Sequence, residues 1–352
     1  MDLRRRPLTA LAAAVLSTCS LAACGSPAAP APASGDGATT AQERTLVVYS
    51  GRDEELVAPL LEQFEQASGI DVEARYAGTT ELAAQLLTEG GDSPAQVFLS
   101  QDAGALGAVA DAGLLAPLPD DVLATVPAEY RAADGSWVGL TGRARVIAYD
   151  SAELTADQVP GDVFDLLDER WRGQVGIAPS NASFQAFVTA LRVTEGEERT
   201  RAWLEGLQAN GAQVFERNGD ILEAVETGAV DVGLLNHYYW ARSEQDPATL
   251  RAQLRFGDPG TTSALVNATG VALLPGTSGE VSPEGLELAR FLLSAQGQTY
   301  FAEETAEYPL ADGAPDPAGV PALEELQPPQ VDLSDLASLQ ETVDLMTQTG
   351  LL

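Results

Sequence analysis

The sequence contains no lysine, and all 19 of its basic residues are arginine. That absence excludes a Walker-type phosphate loop, a Schiff-base lysine and a Ser–Lys dyad, each of which needs an ammonium group at a fixed position. Histidine is nearly missing, with a single residue, His237, and cysteine occurs twice, as Cys19 and Cys24. An H-E-x-x-H zinc motif and a thiol metal cluster are therefore ruled out, and His-based catalysis has little to work with. There is also no G-x-S-x-G nucleophile elbow. Positive charge is scarce: 52 Asp and Glu stand against the 19 arginines, for a formal net charge of −33. Such a surface repels nucleic acid and anionic lipid, so neither is a partner. What remains is ordinary for a folded chain. The 352 residues are 45% apolar, enough for a large core spread over about two domains.

The one long apolar stretch is N-terminal. Arg4, Arg5 and Arg6 precede Leu8–Ala23, which is nearly all small or apolar. This is the pattern of an export signal, too short and too rich in Ala for a membrane span. It ends in Leu21-Ala22-Ala23-Cys24-Gly25, which looks like a bacterial lipobox with Cys24 as the lipidated new N-terminus. Removing residues 1–23 takes away three Arg and one Asp and moves the formal charge from −33 to −35. Cys19 leaves as well, so the mature chain has no internal disulfide and depends on its core. Residues 24–44 are rich in Pro, Ala, Gly and Ser and read as a flexible tether. The protein is thereby expected on the outer face of the cytoplasmic membrane.

From Thr45 onward apolar strand-like runs alternate with amphipathic segments. Strands are expected at 46–49, 70–76 and 96–99, with helices at 53–67, 79–90 and 102–112. A second series places strands at 146–149, 175–178, 213–215, 230–235 and 264–274. Its helices fall at 184–193, 199–210, 220–227, 283–294 and 333–346, with a loop-rich stretch at 309–329. This is the grammar of α/β lobes with mostly parallel sheets and helices on both faces. Chain crossovers between two such lobes fall near 143–149 and 267–274.

Ligands of open α/β sheets bind beyond the carboxyl ends of the strands. Four strand ends carry polar groups: Ser50-Gly51-Arg52-Asp53, Ser100-Gln101-Asp102, Pro179-Ser180-Asn181-Ala182-Ser183 and Asn236-His237-Tyr238-Tyr239-Trp240. A cleft between lobes would gather them. The Tyr238-Tyr239 pair is the sharpest feature. Phenolate is a hard oxygen ligand suited to a trivalent cation such as Fe(III), whose charge offsets the high pKa of the free phenol. Core packing is the alternative for these rings, and His237 either ligates or bonds locally. Asn181 and Ser183 open a helix, where they cap it or help attract an anion. Arg143 and Arg145 supply cations to such an anion or pair with surface carboxylates. Asp53 and Asp102 each begin a helix, where a carboxylate is stabilising in its own right.

The stretches VYSGRDEELVAPLLEQFEQASGI, SPAQVFLSQDAGAL, LTGRARVIAYD, GLLNHYYW, LVNATGVALL and ETAEYPL together resemble the substrate-binding lipoproteins of iron ABC transporters, the bacterial ferric-binding protein family. The resemblance spans Leu46 to about Met346. It implies a two-lobed, type II periplasmic-binding-protein-like clamp that captures Fe(III) and passes it to a membrane permease. By position, Tyr238 and Tyr239 would be the paired ligands. Asn181, Ser183, Arg143, Asn218 and Asn236 would surround a synergistic carbonate- or phosphate-type anion. Two departures stand out. Asp53 replaces a histidine common in the family, and Gln101 replaces a glutamate, leaving Asp53 as an oxygen ligand and Gln101 as a weak one. Ser183 stands where a four-tyrosine subgroup has another Tyr.

The expected organisation is a signal peptide at 1–23, a lipidated Cys24 and tether at 24–44, lobe 1 at 45–142 plus 268–312, and lobe 2 at 143–267 plus 313–352. The expected function is capture of ferric iron with an anion, by a monomer that is not an enzyme and whose partner is an ABC permease. The alternative is the same clamp holding an iron chelate, oxyanion, phosphonate or polyamine. A two-carboxylate glycosidase is the remaining possibility from composition alone.

Overall fold

The structure is a computed structural model that describes residues 44–276 and 279–352. The expected signal peptide, Cys24 and the tether up to residue 43 lie outside the described residues.

The first series consists of β1 (Arg44–Ser50), α1 (Glu54–Ser68), β2 (Ile70–Tyr76), α2 (Thr79–Glu89), β3 (Val97–Ser100) and α3 (Ala103–Asp111). Helix α1 forms because Leu56, Val57, Leu60, Leu61 and Phe64 share one buried face, with Glu54 and Glu55 at its positive end and Gly69, at φ 69°, closing it. After the one-turn α4 (Asp120–Leu123) comes β4 (Trp137–Asp150), buried along all 14 residues. The second series is β5 (Val175–Ile177), α5 (Ala182–Glu195), α6 (Glu197–Ala209), β6 (Gln213–Val214), α7 (Asn218–Glu226), β7 (Val232–Asn236) and α8 (His237–Ala241). The remainder is β8 (Ala252–Phe256), β9 (Val266–Leu273), α9 (Pro283–Leu292), α10 (Ala295–Glu304), β10 (Tyr308–Pro309), the one-turn α11 (Leu323–Leu326) and α12 (Leu339–Gln348).

The strands join in the order β2-β1-β3-β9-β4-β7-β5-β6, with β8 and β10 also on β4. The outer pairs β1–β2, β1–β3, β5–β6 and β5–β7 are parallel. β9 runs antiparallel to β3 and β4, and β4 runs antiparallel to β7, β8 and β10. The sheet is therefore mixed where a mostly parallel one was expected. The cause is the crossing itself. β4 pairs with β9 through its first half and with β7 and β8 through its second, so it carries the chain from one series to the other while β9 returns beside it.

Two close approaches fix the frame. A Cβ on Gly51 would lie 1.9 Å from Thr79 Oγ1. Thr79 donates to the Gly51 carbonyl at 3.1 Å and accepts the Gln101 N–H at 3.0 Å, which ties the ends of β1 and β3 together. The closing helix expected at 333–346 is instead a 3₁₀ turn, Leu333–Ala337, followed by α12. Its backbone sits directly on α3, where a Cβ on Gly104 would come within 2.5 Å of the Leu336 carbonyl oxygen. No helix among the described residues is long and apolar enough to cross a membrane.

Candidate metal and anion site

Strand β7 is buried throughout and ends at Asn236, where the chain turns into α8. Tyr238 and Tyr239 therefore fall in one helical turn directly beyond a strand end. Their rings stack with centroids 4.5 Å apart and planes at 28°. Tyr238 is 1% exposed, and Tyr239 is half-buried. Burial raises the Tyr239 phenol above its ordinary range. Tyr238 and Asp53 push it further in that direction, and a contact with Asn218 opposes the shift. Two adjacent phenols become a pair of hard oxygen donors once a highly charged cation displaces their protons.

His237 takes the local alternative. The Ala144 N–H donates to its Nδ1 at 3.2 Å, so Nε2 carries the proton and donates to the Ala306 carbonyl at 2.9 Å. Its ring stacks on Tyr308 at 4.7 Å. Burial lowers its pKa to about 4, against the help of both hydrogen bonds and with a smaller push from Arg143. Both ring nitrogens are occupied, and none is left for a metal.

The end of β1 reaches the same place. Arg52, 3% exposed, lies with its guanidinium carbon 6.0 Å from the Tyr238 ring centroid and pairs with Glu307 at 2.5 Å. Burial alone would lower its pKa, but Glu307, Tyr238, Asp53 and Tyr239 outweigh it and hold the group charged. Asp53 is exposed, makes no side-chain cap bond to α1, and is close enough for its charge to be felt by both Tyr239 and Arg52. Gln101 meets its neighbours through its peptide, with its N–H on Thr79 and its carbonyl accepting from Arg143. At that strand end the buried carboxylate is Asp102. Its Oδ1 caps α3 at 3.0 Å, and its pKa is raised by burial, with Arg143 opposing.

The expected anion residues form a chain of hydrogen bonds. Asn181 Oδ1 accepts from the Ser183 N–H at 2.9 Å and from its hydroxyl at 2.6 Å, so this acceptor is used in capping α5. Asn218 Nδ2 donates to Ser183 Oγ at 3.1 Å. Arg145 reaches Ser183 Oγ and Asn236 Oδ1 at 3.4 Å each and the Leu234 carbonyl at 3.0 Å. Its guanidinium also lies over Phe184 and Phe187 at 5.5 Å. Burial lowers the Arg145 pKa to about 9, Arg143 adds to this, and the tyrosines oppose it, so the group stays charged at neutral pH. Arg143, Arg145, Ser183, Asn236 and Asn267 line a cavity with room for about one water. Arg143 Nε and Nη1, Arg145 Nε and Asn218 Oδ1 are buried without a partner. Two buried cations with unused N–H groups make a ready anion cradle.

Among the described residues no three His, Cys, Asp or Glu side chains converge on a common point. A separate cavity of about 1440 Å³ lies between residues 120–135 and 309–333 and includes none of these side chains. Sequence reasoning assigned no role to Arg52, Glu307 or Tyr308, although the SGRD and AEYPL stretches contain them.

Residues 92–332 match the family model described as bacterial extracellular solute-binding protein. The chain belongs to that family. It is 34% identical over 316 residues to a Fe(3+)-binding periplasmic protein of Serratia marcescens, covering 88% of this chain and 91% of that one. Among solved structures it matches iron-bound HitA from Pseudomonas aeruginosa with a TM-score of 0.81 and 32% identity, over 87% of this chain and 99% of that one. It also matches a Trichodesmium IdiA (FutA) in complex with iron and citrate, with a TM-score of 0.70 and 25% identity over 87% and 99%. The two-lobed α/β clamp expected from the sequence is the fold this solute-binding protein shares with them.

Proposed function

We propose that this protein is the ferric-iron-capturing component of an ABC importer, with Tyr238 and Tyr239 as phenolate ligands. The observation that carries this is the stacked pair at 4.5 Å on one turn beyond β7, beside a histidine with no free nitrogen. The names of the relatives, which refer to iron, support it. Lobe 1 comprises residues 45–142 with 268–312, and lobe 2 residues 143–267 with 313–352. Asp53 supplies an oxygen from lobe 1, and Gln101 contributes at most weakly.

Charge balance calls for an accompanying anion. Fe(III) replacing two phenol protons adds one positive charge beside two buried arginines that lack carboxylate partners. A carbonate- or phosphate-type dianion on Arg143, Ser183, Asn218 and Asn236, with the Asn181 amide, reverses that sign. Lobe 2 binds first, hinge closure excludes water and strengthens each metal–oxygen contact, and the permease reads the closed form. The protein acts as a monomer, catalyses no reaction, and is tethered through lipid at Cys24 to the outer face of the cytoplasmic membrane. An iron chelate, oxyanion or phosphonate as cargo is favoured over a polyamine by the unpartnered N–H groups of Arg143 and Arg145.

The test is a melting series on the metal-stripped full chain with Fe(III) plus bicarbonate, Fe(III)-citrate, phosphate alone or spermidine alone. A ligand at 100 times its Kd stabilises by about 2.7 kcal/mol, enough to raise Tm by several degrees. A shift with either iron sample that exceeds any shift with phosphate alone, and none with spermidine, is expected; a shift with phosphate alone as large as that with iron, or any shift with spermidine alone, replaces iron as the cargo.

A further inference from the structure

Ala306, Glu307 and Tyr308 contact His237 and Arg52, each of which lies 6.0 Å from the Tyr238 ring centroid, and iron binding as described gives none of the three a task. Glu307 is fully buried. Its Oε1 accepts from Arg52 Nη2 at 2.5 Å and its Oε2 from Thr141 Oγ1 at 2.8 Å. Arg52 in turn lies 6.0 Å from the Tyr238 ring centroid. One residue before Glu307, the Ala306 carbonyl accepts from His237 Nε2 at 2.9 Å; one residue after, the Tyr308 ring stacks on the same imidazole. Ala306 stands at φ 50°, a left-handed conformation that non-glycine residues adopt rarely and that clusters at functional sites. That turn lets consecutive residues address the end of β1 and the first turn of α8. A buried ion pair is also weak evidence for a stabilising role, because apolar residues of similar volume often serve as well.

We propose that Glu307 is a positioning residue for the cargo site: through Arg52 on one side and the Ala306–His237 hydrogen bond on the other, it registers the end of β1 against α8 and so fixes Tyr238 and Tyr239 in their ligand geometry. This rests on the tyrosines being ligands. Outer residues that orient metal ligands typically change metal affinity roughly 10–100-fold when replaced, and that is the range expected here.

The test compares the full chain with Glu307→Gln and with the double variant Arg52→Met, Glu307→Leu, which replaces the ion pair with apolar groups and keeps the fold if the single change does not. Each is loaded with Fe(III) and read for the position of the tyrosinate-to-iron charge-transfer band, the rate of iron loss to excess EDTA, and the Tm of the metal-free form. The expected result is a displaced band and iron loss roughly 10–100-fold faster, with the metal-free Tm of the double variant close to that of the parent. A band and a release rate unchanged in the double variant overturn the proposal. So does faster release with an unmoved band and a Tm that falls in step, which marks a purely structural role. Absence of the band in the parent overturns the tyrosine ligands themselves, a failure separate from that of Glu307.

Discussion

His237 and Ala144 are joined by a hydrogen bond in which the backbone N–H donates to the imidazole Nδ1 at 3.2 Å. The opposite nitrogen is spent on Ala306, so the residue beside the tyrosine pair is a spacer with a fixed tautomer. Gln at this position can accept through its amide oxygen and donate through its nitrogen; Phe can do neither. His237→Gln is expected to bind iron with the parent's stoichiometry. His237→Phe leaves a buried N–H and a buried carbonyl unpaired and is expected to lose about 2–4 kcal/mol of stability. Urea midpoints and bound-iron counts on the two variants check this.

Gly51 has no room for a side chain. Its Cβ would lie 1.9 Å from Thr79 Oγ1 and 2.8 Å from Thr79 Cα, at the point that ties β1 to β3. Gly51→Ala is expected to cost about 1–3 kcal/mol, measured by urea unfolding. Adding Thr79→Ala recovers only part of the loss, because the clash with the backbone atom remains.

Arg143 carries two N–H groups that are buried without partners. With the proposed anion on Arg143, Arg143→Gln is expected to weaken iron binding by about tenfold in bicarbonate, the value of one charge-assisted bond, and to have much less effect in anion-free buffer. Titrations in the two buffers measure the difference.

Most of the fold was legible because its signals are local. The strand expected at 70–76 is β2, residue for residue, and α1, α2 and α3 fall within a residue or two of their apolar periodicity. The missed pieces share a physical reason. The first half of β4 contains Gly139, Gly142 and Arg143 in a fully buried strand, which breaks any alternation. β8 is a short side strand of β4, and α10 begins Ala-Gln-Gly-Gln with little apolar signal. The site divides in the same way. Tyr238 and Tyr239 are neighbours in sequence and could be read directly. The Arg52–Glu307 pair spans 255 positions, and only the folded chain brings it together.

Asp150 gives the expected pH dependence. Arg251 donates to both of its oxygens, once at 2.6 Å, and this pairing holds the carboxyl below its ordinary range despite burial. The folded value lies below the unfolded value of 3.8, so the contribution is fully present above that pH and is lost as pH falls through the folded value. Asp150→Asn is expected to cost about 1–2 kcal/mol at pH 7. The gap between parent and variant should close below about pH 4. Urea midpoints at pH 7, 5 and 3 measure it.

The tyrosine pair is tested most directly by the visible spectrum of the Fe(III)-loaded full chain beside that of a Tyr238→Phe, Tyr239→Phe double variant. A tyrosinate-to-iron charge-transfer band in the parent and its disappearance in the double variant, with bound iron lost as well, is the expected outcome. Bound iron without that band in the parent, or iron retained by the double variant, would show that the metal is held by other groups.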